Sequence, residues 1–198
     1  MRLRCLLLVA GLALAGCGTP PPPPQLYQLR IEAPPAAVPA PRAGNEVWEL
    51  ATALRLPEYL DRETIVVSSG GAGLQPLDGH RWAEPLRDSV PRLLRHDLGL
   101  LRGADKVWPA PAPAGVAVAR QLRVELLALQ ATADRAAVHL SARWWLVDPR
   151  GQAAPLLGQA DLRVPTAGTG VDAIAGAHRA ALWQLAERIA DTAAAPAR

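Results

Sequence analysis

The sequence predicts an α+β fold, in which a mostly antiparallel sheet carries two long amphipathic helices packed on one face. Three patterns lead to this prediction: several segments alternate apolar and polar residues, two of these are joined by a very short link, and two longer segments space their apolar residues as a helix does. Each of these elements must bury its apolar face against another layer. Packing both helices on the sheet buries all the faces together.

Short strands are expected in the first part of the chain. Apolar residues alternate over 27–31, and two further apolar runs at 45–56 and 63–69 each predict a strand. The run "EAPPAAVPAPRAG" at 32–44 predicts a proline-rich loop between the first two strands. The second strand is expected to end at Pro57, and the third at the glycine-rich "GGAG" that follows it.

The clearest strands are "RQLRVELLALQ" at 120–130 and "RAAVHLSARWWLV" at 135–147. Each has apolar residues at alternate positions, and the link "ATAD" is short enough to make them an antiparallel hairpin with one buried face. In the first strand, the predicted core face is even-numbered and includes Ala128. The turn sequence "DPRG" follows the hairpin, and a further strand is expected at 156–164.

Two amphipathic helices are predicted, at 82–102 and at 171–193. Pro85 suits the first turn of the earlier helix, where the missing N–H has no helical partner. Pro91 should either kink that helix or move its start to a later residue. The apolar stripe of the later helix includes His178, which is expected to be a core histidine rather than a metal ligand.

The N-terminus has the pattern of a lipoprotein signal. Arg2 and Arg4 precede about 12 uncharged residues, which is short of the roughly 20 that a helix needs to cross a bilayer. Leu14-Ala15-Gly16-Cys17 resembles the bacterial lipobox, in which the signal is cleaved before the cysteine and the cysteine is acylated. Cys17 is therefore the predicted lipidation site. An ordinary signal peptide with a chance cysteine is the alternative.

Five prolines, Pro20–Pro24, follow this cysteine and favour an extended spacer of roughly 15 Å. We therefore predict a cleaved signal peptide at 1–16, a lipidated proline-rich tether at 17–25, a single domain at 26–193 and a tail at 194–198. About 150 residues can bury a core of their own. A disordered tether is the alternative to a stiff spacer, and either one lies outside the core.

Charge and cysteine content exclude several classes of function. Removal of Arg2 and Arg4 from the 21 basic residues leaves 19 against 18 acidic residues, so a net charge of about +1 gives no reason to expect a nucleic-acid partner. Cys5 lies in the predicted signal and Cys17 would be acylated, so the domain has no disulfide.

Motifs for catalysis are missing from the sequence. The 4 histidines have no metal-ligand spacing, "SSGGAG" lacks the Lys-Ser/Thr of a phosphate loop, and no G-x-S-x-G elbow occurs. We therefore predict no enzyme activity, no catalytic residue, no metal and no cofactor. A periplasmic hydrolase is the alternative, and it would need a Ser or an Asp beside a His in a cleft.

Adjacent tryptophans in the second hairpin strand suggest a contact surface. Trp144 lies on the predicted core face, so Trp145 should point away from the core. Because Trp is favoured at interfaces, Trp145 is the candidate interface residue. The alternative is that a second layer of the same domain covers it. Trp82 is instead expected to pack in the core.

The stretch at 56–101 resembles the signature region of the PqiC-type family of ABC-transport auxiliary lipoproteins. The matching pieces are "LPEYLDR" at 56–62, "IVV" at 65–67 and "RWAEPL" at 81–86. The Tyr27-x-Leu29 strand, the "ALWQLAERIA" helix at 181–190 and the lipobox also fit. The likeness covers nearly all of the chain after the predicted signal.

This resemblance implies a lipid-anchored outer-membrane protein that faces the periplasm, carries acyl chains such as palmitate, and takes part in intermembrane lipid transport and membrane integrity. It further implies an MCE-domain partner, a homo-oligomer, and a role in anchoring or capping the lipid conduit. Gly18, rather than an Asp, follows the cysteine, which favours sorting to the outer membrane. The alternative is a periplasm-facing lipid-binding carrier, which would need an apolar cavity.

Overall fold

The computed structural model of the chain describes residues 22–32 and 44–193, and it has the predicted α+β composition. Its strands are β1 (Gln25–Tyr27), β2 (Trp48–Leu50), β3 (Thr64–Gly70), β4 (Gly73–Trp82), β5 (Val107–Pro109), β6 (Arg120–Ala131), β7 (Ala137–Val147) and β8 (Leu156–Pro165). Its helices are α1 (Leu86–Arg102) and α2 (Val171–Thr192). Short 3₁₀ turns occur at Glu58–Leu60 and Ala104–Lys106.

The eight strands form one curled, mixed sheet, so the prediction of a mostly antiparallel sheet is wrong. The order β1-β4-β3-β6-β2-β5 is extended by β7, which pairs with β6, and by β8, which pairs with β7. The pairs β1–β4, β2–β5, β2–β6 and β3–β6 are parallel. The strands β1, β2 and β5 have three residues each, and apolar alternation carries no information about the direction in which so short a strand pairs.

The predicted hairpin is confirmed in β6 and β7, which pair antiparallel with Val124 opposite Trp144. A register shift between Leu126 and Ala128 makes Leu127 an extra residue that faces solvent. The core face of β6 therefore changes from even-numbered to odd-numbered residues. Ala128 is not on the core face, as the alternation had predicted, and Leu129 takes that place.

The residues before α1 form a strand that the sequence did not predict. The sequence predicted that the third strand ends at the glycine-rich turn, but it predicted no strand after it. β4 pairs antiparallel with β3 across this turn. As a result α1 begins at Leu86 rather than at Trp82, with Pro85 at its N-cap. Pro91 lies inside the helix, so a later helix start is also wrong.

The core lies between the sheet and the two helices. α1 contacts α2 and β5, while α2 also contacts β6, β7 and β8. Trp82 is buried, as predicted. That both helices pack on one face of the sheet stays a prediction. Large side chains that are fully buried include Trp48, Ile65, Leu93, Leu94, Leu98, Leu101, Leu122, Leu126, Leu129, Leu140, Leu146 and Ile174.

The predicted signal peptide at 1–16, the lipidation site Cys17 and the tail at 194–198 lie outside the described residues. The proline-rich loop at 32–44 is described only at its two ends, and the tether only from residue 22. Across 22–32 and 44–193, neither helix has both the length and the hydrophobicity that crossing a bilayer requires.

Candidate functional site

Residues 25–32, which begin at the last residue of the predicted tether, are here called the strap. Its β1 strand pairs in parallel with the edge of β4, and the Tyr27 carbonyl accepts a hydrogen bond of 2.8 Å from the Ala83 N–H. The Tyr27 hydroxyl lies 3.0 Å from Nδ1 of His80, and Leu29 is buried in the core. The strap is therefore an integral part of the domain rather than a continuation of the tether.

A buried arginine fastens the strap to both helices. The guanidinium of Arg179, on α2, donates two hydrogen bonds of 2.7 and 2.8 Å to the carboxylate of Asp97 on α1. The same guanidinium donates from Nε to the Arg30 carbonyl at 2.8 Å and from Nη2 to the Ile31 carbonyl at 3.3 Å. Arg179 therefore ties α1, α2 and the strap at one point, which we call the clasp.

The electrostatics of the clasp depend on its burial. Asp97 has no exposed surface, and burial raises the pKa of its carboxyl, while the hydrogen bonds and charge of Arg179 act in the opposite direction. A buried ion pair of this kind is costly to break on one side only, because the remaining charge is left without a partner. The sequence did not predict the clasp, although Asp97 and Arg179 each place a charged side chain within the apolar stripe of its helix.

His178 lies beside the clasp in the core. Its Nδ1 is 2.8 Å from the Ile174 carbonyl oxygen, and its ring meets that of Trp82 edge-on at 5.2 Å between centroids. Burial lowers the pKa of His178 to about 4, so the imidazole is neutral at pH 7. The prediction of a core histidine is confirmed.

The remaining histidines lie apart from one another. His80 contacts Tyr27 of the strap, and His139 lies 3.1 Å from a carboxylate oxygen of Asp161 between neighbouring strands. His96 lies on α1, at the edge of a surface groove. In the part of the chain that the structure describes, no three His, Cys, Asp or Glu residues come together as a metal site would require.

The two adjacent tryptophans of β7 point to opposite sides of the sheet. Trp144 is buried, and its Nε1 donates a 3.0 Å hydrogen bond to the Thr192 hydroxyl at the end of α2. Trp145 is half-buried and lies opposite Leu157 of β8, whose side chain is 72% exposed. Together with Arg143 and Gln159, these two residues line an open cleft of about 360 Å³. A role for Trp145 in an interface stays a prediction.

Two larger clefts open at the surface. One, of about 900 Å³, lies between the strap and α2, and its lining includes Leu26, Arg30, Glu32 and Asp172. The other, of about 610 Å³, lies between α1 and the chain that follows it.

Two crystal structures share this fold over most of the chain. One is of an uncharacterized protein, 21% identical, with a TM-score of 0.67 over 86% of this chain and 98% of that one. The other is of a Xanthomonas campestris protein of the DUF330 family, 17% identical, with a TM-score of 0.65 over 86% of this chain and 97% of that one. The chain therefore shares the α+β fold class of these two proteins.

The family within this class follows from the sequence. The family model described as the ABC-type transport auxiliary lipoprotein component matches residues 27–190, from the strap to the last turns of α2. The chain therefore belongs to the ABC-type transport auxiliary lipoprotein family. A comparison with curated proteins finds none that matches this chain.

Proposed function

We propose that this chain is the non-enzymatic, outer-membrane lipoprotein of an intermembrane lipid transport system, where it anchors or caps a conduit formed by an MCE-domain partner. The observation that carries the proposal is the family match over 27–190, with a lipobox cysteine ten residues ahead of it. The family supplies the link to ABC-type transport, and the cysteine supplies the attachment to a membrane.

The anchor and the clasp together limit where the domain can lie. Gln25 lies eight positions after Cys17, a distance of about 25 Å in an extended polyproline conformation. The strap is fixed to both helices at Arg179, so the domain is held within about this distance of the bilayer. Two or more acyl chains anchor a protein firmly, so exchange between membranes is not expected.

The location can be tested by separating inner and outer membranes on a density gradient. We expect the native chain in the outer-membrane fraction with an acylated Cys17, and the variant Cys17→Ala free in the periplasm. Gly18→Asp should move the protein to the inner membrane. Cys5→Ala is the matched control, because it removes the other cysteine and should change neither acylation nor location. An inner-membrane location of the native chain would contradict the proposal.

The outer face of β7 and β8 is the surface proposed for assembly, with Trp145 as its central residue. Trp145 is half-buried and Leu157 is largely exposed, so both present apolar area at the surface. Aromatic residues of this kind supply much of the binding energy at interfaces. We propose that this face contacts a further chain of the assembly, either another copy in a homo-oligomer or the MCE-domain protein.

The geometry supports a non-enzymatic role over a hydrolase. His178 is neutral and buried. The ring of His139 is paired with Asp161, and Ser141, which lies opposite Asp161 on the same face, makes no side-chain hydrogen bond to that ring in the described residues. The purified chain can be assayed for hydrolysis of ester and phosphoester substrates. Any background hydrolysis should be the same in the wild type and in a His139→Ala variant.

The lipid-carrier alternative is less well supported. The cleft between the strap and α2 is open, and Arg30, Glu32 and Asp172 bring charge to its lining, which does not suit an acyl chain. Extraction of the purified chain should therefore release only the lipid attached at Cys17. Stoichiometric phospholipid bound without a covalent link would favour the carrier instead.

A further inference from the structure

A second surface has a distinct chemistry, and we call it the basic groove. It lies between α1 and the chain from β5 onward, and it has a volume of about 610 Å³. Its lining includes Arg92, Arg95, His96, Leu100, Trp108 and Pro111. Because it lies between separate elements of a packed domain, its shape is set by the fold.

The basic groove has one unpaired cationic side chain among its described residues, Arg95. Two arginines and a histidine line it, and no acidic residue does so among those that the structure describes. Arg92 is paired with Glu84 at 2.6 Å. No ion pair or side-chain hydrogen bond joins Arg95 to another residue within 22–32 or 44–193, so its guanidinium is available to a ligand.

The apolar part of the basic groove is held in place. The Trp108 indole N–H donates a 3.0 Å hydrogen bond to the Asp105 carbonyl, which fixes the ring. Leu100 of α1 is partly exposed, and three prolines at alternate positions, 109, 111 and 113, add ring faces that have no N–H to satisfy. Grooves lined by aromatic side chains are typical binding sites for extended peptides.

We propose that the basic groove binds an acidic, extended peptide segment of a partner protein. A carboxylate of the segment would pair with Arg95, the His96 ring would offer it a hydrogen bond, and an apolar side chain would pack against Leu100 and Trp108. Charge complementarity selects the acidic partner, since a basic segment would meet the guanidinium of Arg95, which is unpaired among the described residues. A concave groove admits a single chain more readily than it admits the flat surface of a bilayer.

The test uses the full-length acylated chain in nonionic detergent, with a fluorescein-labelled heptapeptide that combines glutamate, proline and leucine. Fluorescence anisotropy should show saturable binding that weakens as salt is added. Arg95→Glu should raise the Kd at least tenfold, and Leu100→Gln should raise it severalfold. Arg62→Glu is the matched control, because it reverses an exposed charge outside the basic groove and should leave the Kd unchanged. A peptide with lysine in place of glutamate should not bind.

Three results would overturn the proposal. The first is equal binding of the peptide by wild type and by a folded Arg95→Glu variant. The second is no binding of the peptide at all, which would mean that the basic groove is filled by this chain itself or has no peptide ligand. The third is Arg95-dependent binding to phosphatidylglycerol vesicles without binding to the peptide, which would assign the basic groove to lipid headgroups.

Discussion

Removing the arginine of the clasp gives the sharpest test of how the strap is held. Arg179→Met keeps most of the apolar stem but leaves the Asp97 carboxylate buried without its counter-charge. Arg179 is 6% exposed and Asp97 is not exposed at all, so water cannot replace the lost partner. Breaking one side of such a pair costs about 3–5 kcal/mol, which for a domain of this size lowers Tm by about 6–20 °C.

A second variant separates the ion pair from the attachment of the strap. Asp97→Leu combined with Arg179→Met removes both charges, and most of the lost stability should return, because a buried pair is about as stable as an apolar pair of similar volume. The Arg30 and Ile31 carbonyls still lose their donor in this double variant. Hydrogen exchange should then show a strap that opens more readily in a domain that is otherwise close to wild type.

The assay is urea unfolding at pH 8 and pH 5 with hydrogen exchange on the same samples. In Arg179→Met, the pKa of the unpaired Asp97 should rise further above its value in the unfolded chain, so the folded state takes up a proton first and stability recovers as pH falls. A loss below about 1 kcal/mol at pH 8 for the single variant would refute the reasoning. So would wild-type exchange rates in the strap of the double variant.

Three further predictions follow from contacts in the core and on the outer face. Gly158→Ala should lower the free energy of unfolding in urea by about 1–3 kcal/mol, because the new Cβ would overlap the indole of Trp144, which a hydrogen bond to Thr192 holds in place. A Gly158→Ala variant as stable as the wild type would show that the indole moves freely. Burial lowers the pKa of His178 from 6.5 to about 4, so the unfolded chain takes up the proton first as pH falls. About 3 kcal/mol of the stability present above pH 6.5 should therefore be lost by pH 4. His178→Gln should lack this pH dependence, and an equal dependence in that variant would assign it to other groups. Trp145→Ala should weaken assembly in size-exclusion chromatography while lowering Tm by no more than a few degrees, and a large loss of Tm would show that Trp145 serves folding instead.

The strongly alternating strands and the helical stripes were predictable because each pattern is complete within one segment. β6, β7, β8 and α2 lie within one or two residues of their predicted bounds. The change of face at Leu127 was not predictable, because an extra residue in a strand depends on the partner across the sheet. β4 escaped prediction because Pro76 and Gly79 interrupt its alternation.

Features that depend on distant residues were less accessible from sequence. The parallel pairing of β2 with β5 and β6 joins segments about 60 to 70 residues apart, and nothing local indicates it. The clasp joins Asp97 to Arg179 and to two carbonyls of the strap, so only the tertiary structure brings its members together. A lipobox is read entirely from adjacent residues, and lipidation at Cys17 stays a prediction.

The central claim is that this lipid-anchored domain works on an MCE-domain protein at the outer membrane. The most direct measurement is purification of the acylated chain from native membranes after mild crosslinking, with mass spectrometry of what remains bound. The account predicts an MCE-domain protein bound to the wild-type chain in the outer-membrane fraction. Folded protein that is correctly acylated at Cys17 but retains no MCE-domain protein would contradict it.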